Sequence, residues 1–291
     1  MKRFLFLILI IQFGFCLKGL TQGELLIAPT RVVFEGNKQR EELNLVNIGK
    51  DTATYSISFI HYQMKDDGGY AIIEKPDSNR MIAEPYLRIF PRLITLAPGE
   101  PQVIMLQCRR KADMKSGEYR SHLYFRSEKD YRPLGSKNKD TTKMISVQLI
   151  PIYGISIPVI IRTGAVNVSS SLTNLKLETQ KDSIQTIKVG INREGNCSTY
   201  GDLIVDYIPV KGKSVVIGQV KGVKVFTDIN QINLSVKLNK MPVTALKDGK
   251  LKVRYTTPND TKYLVYAEKE VQVNEQLGIA QQGATKDNIG Q

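Results

Sequence analysis

Few residues of this chain have the types and the spacing that a catalytic site requires. The chain contains two histidines, His61 and His122, and none of the G-x-S-x-G, H-E-x-x-H and P-loop motifs. His61 stands inside the apolar run 59–62, where a packing role is simpler than that of a base. The acids Asp66 and Asp67 precede two glycines, which predicts a hairpin turn rather than a catalytic pair. We therefore expect no enzymatic activity, no cofactor and no metal site.

What the chain does offer is backbone hydrogen bonding along an unusually long strand. Nine consecutive odd-numbered positions are apolar: Ile145, Val147, Leu149, Pro151, Tyr153, Ile155, Ile157, Val159 and Ile161. Such alternation is typical of a strand with one face on a core. The first part follows a long polar segment, which indicates a sheet edge, and an apolar edge strand is a template for pairing with another chain. The sequence thus predicts that a partner pairs with this part, while a bent core strand broken by its prolines is the alternative.

The first residues predict export. Lys2 and Arg3 give a positive start, residues 4–15 are almost entirely apolar, and small residues up to Thr21 suit a signal peptidase. We expect a signal peptide over 1–21. The short apolar core disfavours an uncleaved anchor, so no transmembrane segment is expected in the mature chain. An exported protein of a bacterium with two membranes would be periplasmic.

The charge is strongly basic. The formal net charge is +13, and loss of three basic residues and no acid with residues 1–21 leaves +10. In the cytoplasm this balance would suggest nucleic acid. For an exported protein we expect no nucleic-acid partner, and solvated faces, anionic membrane surfaces or acidic polypeptides fit better.

The mature chain is long enough for two domains, and its pattern predicts an all-β fold of two tandem immunoglobulin-like β-sandwiches. Short β-rich runs separated by Gly, Asn, Asp and Pro turns fill 22–162, and the pattern restarts over 163–273. The tail 274–291 is polar and is predicted to be disordered. Cys108 and Cys197 would fall in different domains, so both are expected to be free and buried.

Several stretches of the chain are similar to one protein family. They are residues 27–36, 43–55, 90–107, 117–125 and 155–162 in the first domain, and 192–195 and 198–203 in the second. The order of proline, leucine, Pro98-Gly99 and a following strand is the most specific of these features. The chain resembles the periplasmic chaperones of the chaperone–usher pilus pathway, which are PapD-like.

That resemblance implies an L-shaped pair of sandwiches and a function as a chaperone. It implies that Ile145, Val147 and Leu149 form a donor strand that fills the open groove of an incomplete pilus subunit. The partners would be exported pilus-like subunits, with an outer-membrane usher as a further candidate. Tandem immunoglobulin-like domains also serve many other roles, so a structural or adhesive cell-envelope protein is the alternative.

The resemblance also implies a site for the carboxylate at the end of the subunit. Arg31 matches the family's cleft arginine, whose planar guanidinium can bond both carboxylate oxygens. Where the family carries a cleft lysine, this chain has Pro158. Arg162 is the weaker candidate for the second cation. A plain surface arginine at a strand start is the alternative role for Arg31.

Overall fold

The computed structural model describes residues 25–128, 152–179, 185–239, 249–258 and 263–273. Within these ranges the chain forms eighteen strands, and a single turn of 3₁₀ helix at Glu84–Tyr86 is the one helix. None of the described helical residues forms a segment able to cross a membrane. The predicted all-β fold is confirmed. The predicted signal peptide, the polar tail and Ile145, Val147 and Leu149 lie outside the described residues.

The first eleven strands build the N-terminal part of the molecule. They are β1 (Leu25–Ala28), β2 (Val32–Phe34), β3 (Arg40–Asn47), β4 (Ala53–Ile60), β5 (Tyr62–Met64), β6 (Tyr70–Ile72), β7 (Leu87–Phe90), β8 (Leu93–Leu96), β9 (Pro101–Cys108), β10 (Gly117–Glu128) and β11 (Gly154–Thr163). Nine of them form two sheets, with the orders β1-β3-β9-β7 and β2-β11-β10-β4-β8. Alternate residues of the strands point into the space between the two sheets. Ile104 and Leu106 of β9 are examples, and both are fully buried.

The remaining strands form a second sandwich. They are β12 (Val168–Thr179), β13 (Gln185–Gly195), β14 (Thr199–Ile208), β15 (Val215–Val225), β16 (Gln231–Lys237), β17 (Lys250–Thr256) and β18 (Val265–Gln272). One sheet has the order β12-β13-β16 and the other β15-β14-β17-β18. Their inner faces make a separate apolar core that includes Val189, Val205 and Tyr255.

A hairpin of the first part reaches into the second. Strands β5 and β6 pair with each other across the turn predicted at Asp66-Asp67-Gly68-Gly69. Met64 of β5 is almost completely buried and belongs to the core of the second sandwich. The backbone N–H of Met64 donates to Asp228 Oδ2 at 3.0 Å, and that of Asn233 donates to the Asp66 carbonyl at 2.8 Å. The two sandwiches are therefore joined by side-chain packing and hydrogen bonds as well as by the chain itself.

The cysteines agree with the prediction. Cys108 and Cys197 are both free and both buried. Cys108 lies in the core of the first sandwich, whereas Cys197 lies in the turn between β13 and β14. The expected absence of a bond between them is confirmed.

Candidate functional site

Strand β11 is the described part of the long alternating run. Ile157, Val159 and Ile161 are buried in the first core, which confirms that the odd-numbered positions of this part face inward. At the start of the strand, a Cβ built on Gly154 would lie 2.2 Å from Tyr124 Oη, so only glycine fits there without a shift. The next residue, Ile155, is only partly buried, so this end of the strand packs less completely against the core than Ile157 does.

The pairing of β11 is uneven along its two edges. On one side β10 pairs with the whole strand, from Gly154 to Thr163. On the other side the parallel strand β2 pairs only with Val159, Ile160 and Ile161. Within the described ranges, residues 154–158 therefore have no strand on that second edge.

Arg31 lies immediately before β2, at the junction of the two sandwiches. Its guanidinium carbon is 4.6 Å from the ring centroid of Tyr200, which belongs to β14 of the second sandwich. Burial, together with the charges of Arg120 and Arg162, lowers the pKa of Arg31 to about 10, although Glu118 acts in the opposite direction. No described carboxylate lies within ion-pair distance of Arg31. The Arg31 side chain is thus a partly buried cation that has no anion among the residues the structure describes.

Glu118 of β10 lies at the junction, and its side chain is fully buried. Its carboxylate contacts Arg120 and accepts from Arg162 Nε at 3.1 Å. It also accepts from the backbone N–H and the hydroxyl of Ser198, at 3.0 and 2.8 Å. Burial alone would raise the pKa of Glu118, but the two arginines and Ser198 lower it to about 2. Glu118 is therefore ionised, and it ties the first sandwich to a turn of the second.

Arg162 has all three guanidinium nitrogens occupied. Nε contacts Glu118, Nη1 contacts Glu35, and Nη2 donates to the Ser198 carbonyl at 3.2 Å. The sequence resemblance made Arg162 the weaker candidate for a client carboxylate. This geometry instead favours a structural role for Arg162 at the junction, because a new ligand would have to displace an existing partner.

Lys224 of β15 is a second cation without an acid. It is the register partner of Tyr200 across β14 and β15, and residues paired in this way project from the same face of the sheet. Its Nζ lies 5.7 Å from the ring centroid of Tyr70. Burial and the positive charges of Arg31 and Arg120 lower the pKa of Lys224. In the part of the chain that the structure describes, no acid lies within ion-pair distance of Nζ.

His122 lies beside this cluster and is neutral at pH 7. It is only 6% exposed, and its ring packs edge-on against Tyr62, with centroids 4.8 Å apart. Burial and the charges of Arg120 and Lys224 lower the pKa of His122 to about 3. The second histidine, His61, makes a hydrogen bond of 2.9 Å to Glu84.

The neutral His122 should make the folded state sensitive to acid. Its folded pKa lies below the unfolded value of 6.5, so the unfolded chain binds the additional proton as the pH falls from 6.5 towards 3. The stability that this group contributes is complete above pH 6.5, and about 3 kcal/mol of it should be lost by pH 4. Urea unfolding of the wild type and of His122→Phe at pH 7, 5.5 and 4 measures how much stability the folded state loses through His122. The wild type should lose stability relative to the variant, and a difference that is independent of pH would contradict the account.

Sequence reasoning identified Arg31 but missed Lys224, Tyr200 and Ser198 as parts of the same junction. Arg31 stood in a motif, whereas Lys224 is one lysine of a basic chain with no local signal. The register between β14 and β15 places Lys224 opposite Tyr200, and the contact of Ser198 with Glu118 joins the two sandwiches at this point.

Neither a protein-family model nor a curated protein sequence matches the chain. Solved structures do. The YadV chaperone is 12% identical with a TM-score of 0.43, over 86% of this chain and 100% of that one. The Pseudomonas aeruginosa CupB2 chaperone is 10% identical with a TM-score of 0.41, over 85% and 99%. The SafB chaperone, solved in complex with the Salmonella enterica SafA pilin, is 11% identical with a TM-score of 0.38, over 85% and 96%. The fold assignment itself rests on the sheets described above.

Proposed function

We propose that this protein is an exported chaperone that holds an incomplete fimbrial-type subunit by lending it an edge strand. The observation that carries the proposal is the uneven pairing of β11. Among the strands that the structure describes, this alternating apolar strand has a partner on both edges only at Val159–Ile161, and residues 154–158 present an edge to which a second chain can add. Main-chain hydrogen bonds would supply affinity, and alternate side chains would supply fit.

The donor residues of this proposal are Ile145, Val147 and Leu149. They precede the described part of the run and continue its odd-numbered face. In β11 that same face is apolar and packs into a core. Pairing with a client would give the earlier positions the buried environment that their side chains favour in water.

The second element of the proposal is a carboxylate anchor at Arg31. This guanidinium lies partly buried at the junction and has no anion among the described residues, so a client carboxylate would gain a charge-assisted hydrogen bond at little cost in competing contacts. The location is periplasmic in this proposal, and pilus-type subunits are the partners. A structural or adhesive protein would need neither an open edge nor an unpaired junction cation.

Replacement of this arginine tests the anchor. Arg31→Ala should leave the fold intact and weaken client capture by about 2–5 kcal/mol, because the partner carboxylate would be left desolvated. The client is first recovered with the protein from its native envelope and identified. Its affinity for the purified variants is then measured by calorimetry.

Arg109→Ala is the matched control, since Arg109 is exposed and, among the described residues, its guanidinium donates only to the Gln107 side chain. This control should bind the client as the wild type does. Equal affinity of the wild type and Arg31→Ala for a client with a free carboxyl terminus would contradict the anchor.

A further inference from the structure

The junction contains four closely grouped cations, and they divide into two classes. Arg120 and Arg162 share the buried Glu118, and Arg162 also contacts Glu35. Arg31 and Lys224 have no acidic partner among the residues that the structure describes. Glu118 thus neutralises the pair Arg120 and Arg162. The charges of Arg31 and Lys224 remain available for a ligand.

The two uncommitted cations flank one aromatic ring. The guanidinium of Arg31 lies 4.6 Å from the Tyr200 centroid, and Lys224 is directly opposite Tyr200 in the β14–β15 register. Side chains opposite each other in an antiparallel pair start about 4.5–5.5 Å apart on the same face. A group resting near Tyr200 would therefore be within reach of both cations.

Two partly buried like charges without an anion repel each other, and a bound anion would relieve that repulsion. The repulsion is visible in the lowered pKa of Lys224, to which burial contributes most and Arg31 next. Pro158, which lies opposite His122 in the β10–β11 register, supplies no charge to the junction. The first sandwich therefore supplies one uncommitted cation to the junction, and the second sandwich supplies the other.

We propose that Lys224 is the second ligand of the client carboxylate, so that Arg31 and Lys224 grip one carboxylate from the two sandwiches. This inference rests on the proposed chaperone function. It makes capture depend on the relative placement of the sandwiches, which the contacts of Glu118 with Ser198 and of Met64 with Asp228 hold together.

The test uses a fluorescein-labelled octapeptide of alternating valine and threonine with a free carboxyl terminus, and its carboxyl-terminal amide. Anisotropy titrations compare the wild type with three variants. Lys224→Met removes the charge and keeps an aliphatic stem against Tyr70, Lys224→Arg keeps the charge, and Lys221→Met is an exposed control.

We expect the wild type to bind the free-carboxylate peptide at least about tenfold more tightly than the amide. Lys224→Met and Arg31→Ala should each remove most of that preference, and the double variant should lose little more. Lys224→Arg and Lys221→Met should retain it. A preference that is lost in Arg31→Ala but intact in Lys224→Met would overturn this inference and leave the Arg31 anchor standing. Equal affinity of the wild type for both peptides would overturn the carboxylate anchor together with its second cation.

Discussion

The double variant Val147→Ser/Leu149→Ser should lose client affinity by about 3–6 kcal/mol. Each side chain would bury apolar surface in the client, worth roughly 1.5–3 kcal/mol when fully buried. The melting temperature of the chaperone itself should fall little, since an edge that serves a client contributes little to its own core. Affinity for the recovered client and thermal unfolding of the free protein are the two measurements.

A change on the opposite face of the same strand provides the control. Gln148→Ser alters an even-numbered position, which the period of two directs away from the client groove. It should leave affinity near the wild-type value. If the Val147/Leu149 variant instead unfolds while its folded fraction binds the client normally, the segment is ordinary core and the donor-strand proposal is wrong.

Glu118→Ala should lower the free energy of unfolding by about 3–5 kcal/mol at pH 7. Removing the acid leaves Arg120 and Arg162 without their shared partner, and removing one member of a buried ion pair costs this much. Because the folded pKa of Glu118 is lowered from 4.5 to about 2, its contribution is complete above pH 4.5 and is lost as the pH falls towards 2. Urea unfolding followed by circular dichroism measures the loss.

Glu35→Ala is the matched variant for this experiment. Glu35 is the exposed partner of the same Arg162, so its loss should cost less than about 1 kcal/mol. Equal losses for the two variants would show that the buried network does not hold the sandwiches together as described.

The strand content followed from alternation wherever both faces of a strand differ in polarity. The run ending at Ile161 was predicted for that reason. The strand β9 was predicted as a β-rich run that follows the turn at Pro98-Gly99, and the turn after Met64 was predicted from its Asp-Asp-Gly-Gly residues. The short strands β1 and β8 were not predicted as separate elements.

In the second sandwich two interruptions were interpreted as loops. Val168, which ends one predicted run, and the run Leu172–Leu177 belong to one strand, β12, which continues through the three serines between them. The bulge of β12 lies inside the second run, between Thr173 and Lys176, where Asn174 has a φ of 53°. The runs ending at Val220 and starting at Val223 likewise form β15, with Gly222 at a φ of 67°. A bulge places one or two residues with positive φ inside a strand, which in sequence resembles a turn.

The residues of the candidate site also fall into two groups, one that the sequence could identify and one that it could not. Arg31 could be identified because it belongs to a local motif at a strand start. The pairing of Arg162 with Glu118 and of Lys224 with Tyr200 depends on the strand registers within each sandwich, and the contact of Glu118 with Ser198 brings the two sandwiches together. Such contacts join residues that are far apart in sequence, as Arg162 and Glu118 are, and leave no periodic trace, so only the structure reveals them.

The proposal that this chain lends a strand to its client is tested most directly by cross-linking at adjacent positions. A photoreactive phenylalanine analogue is placed at Val147 in one variant and at Gln148 in another, and each complex with the recovered client is irradiated. The account predicts cross-links from position 147 to alternate residues lining a groove of the client, and few or none from position 148. Equal cross-linking from both positions, or cross-links from position 147 only within the chaperone itself, would contradict it.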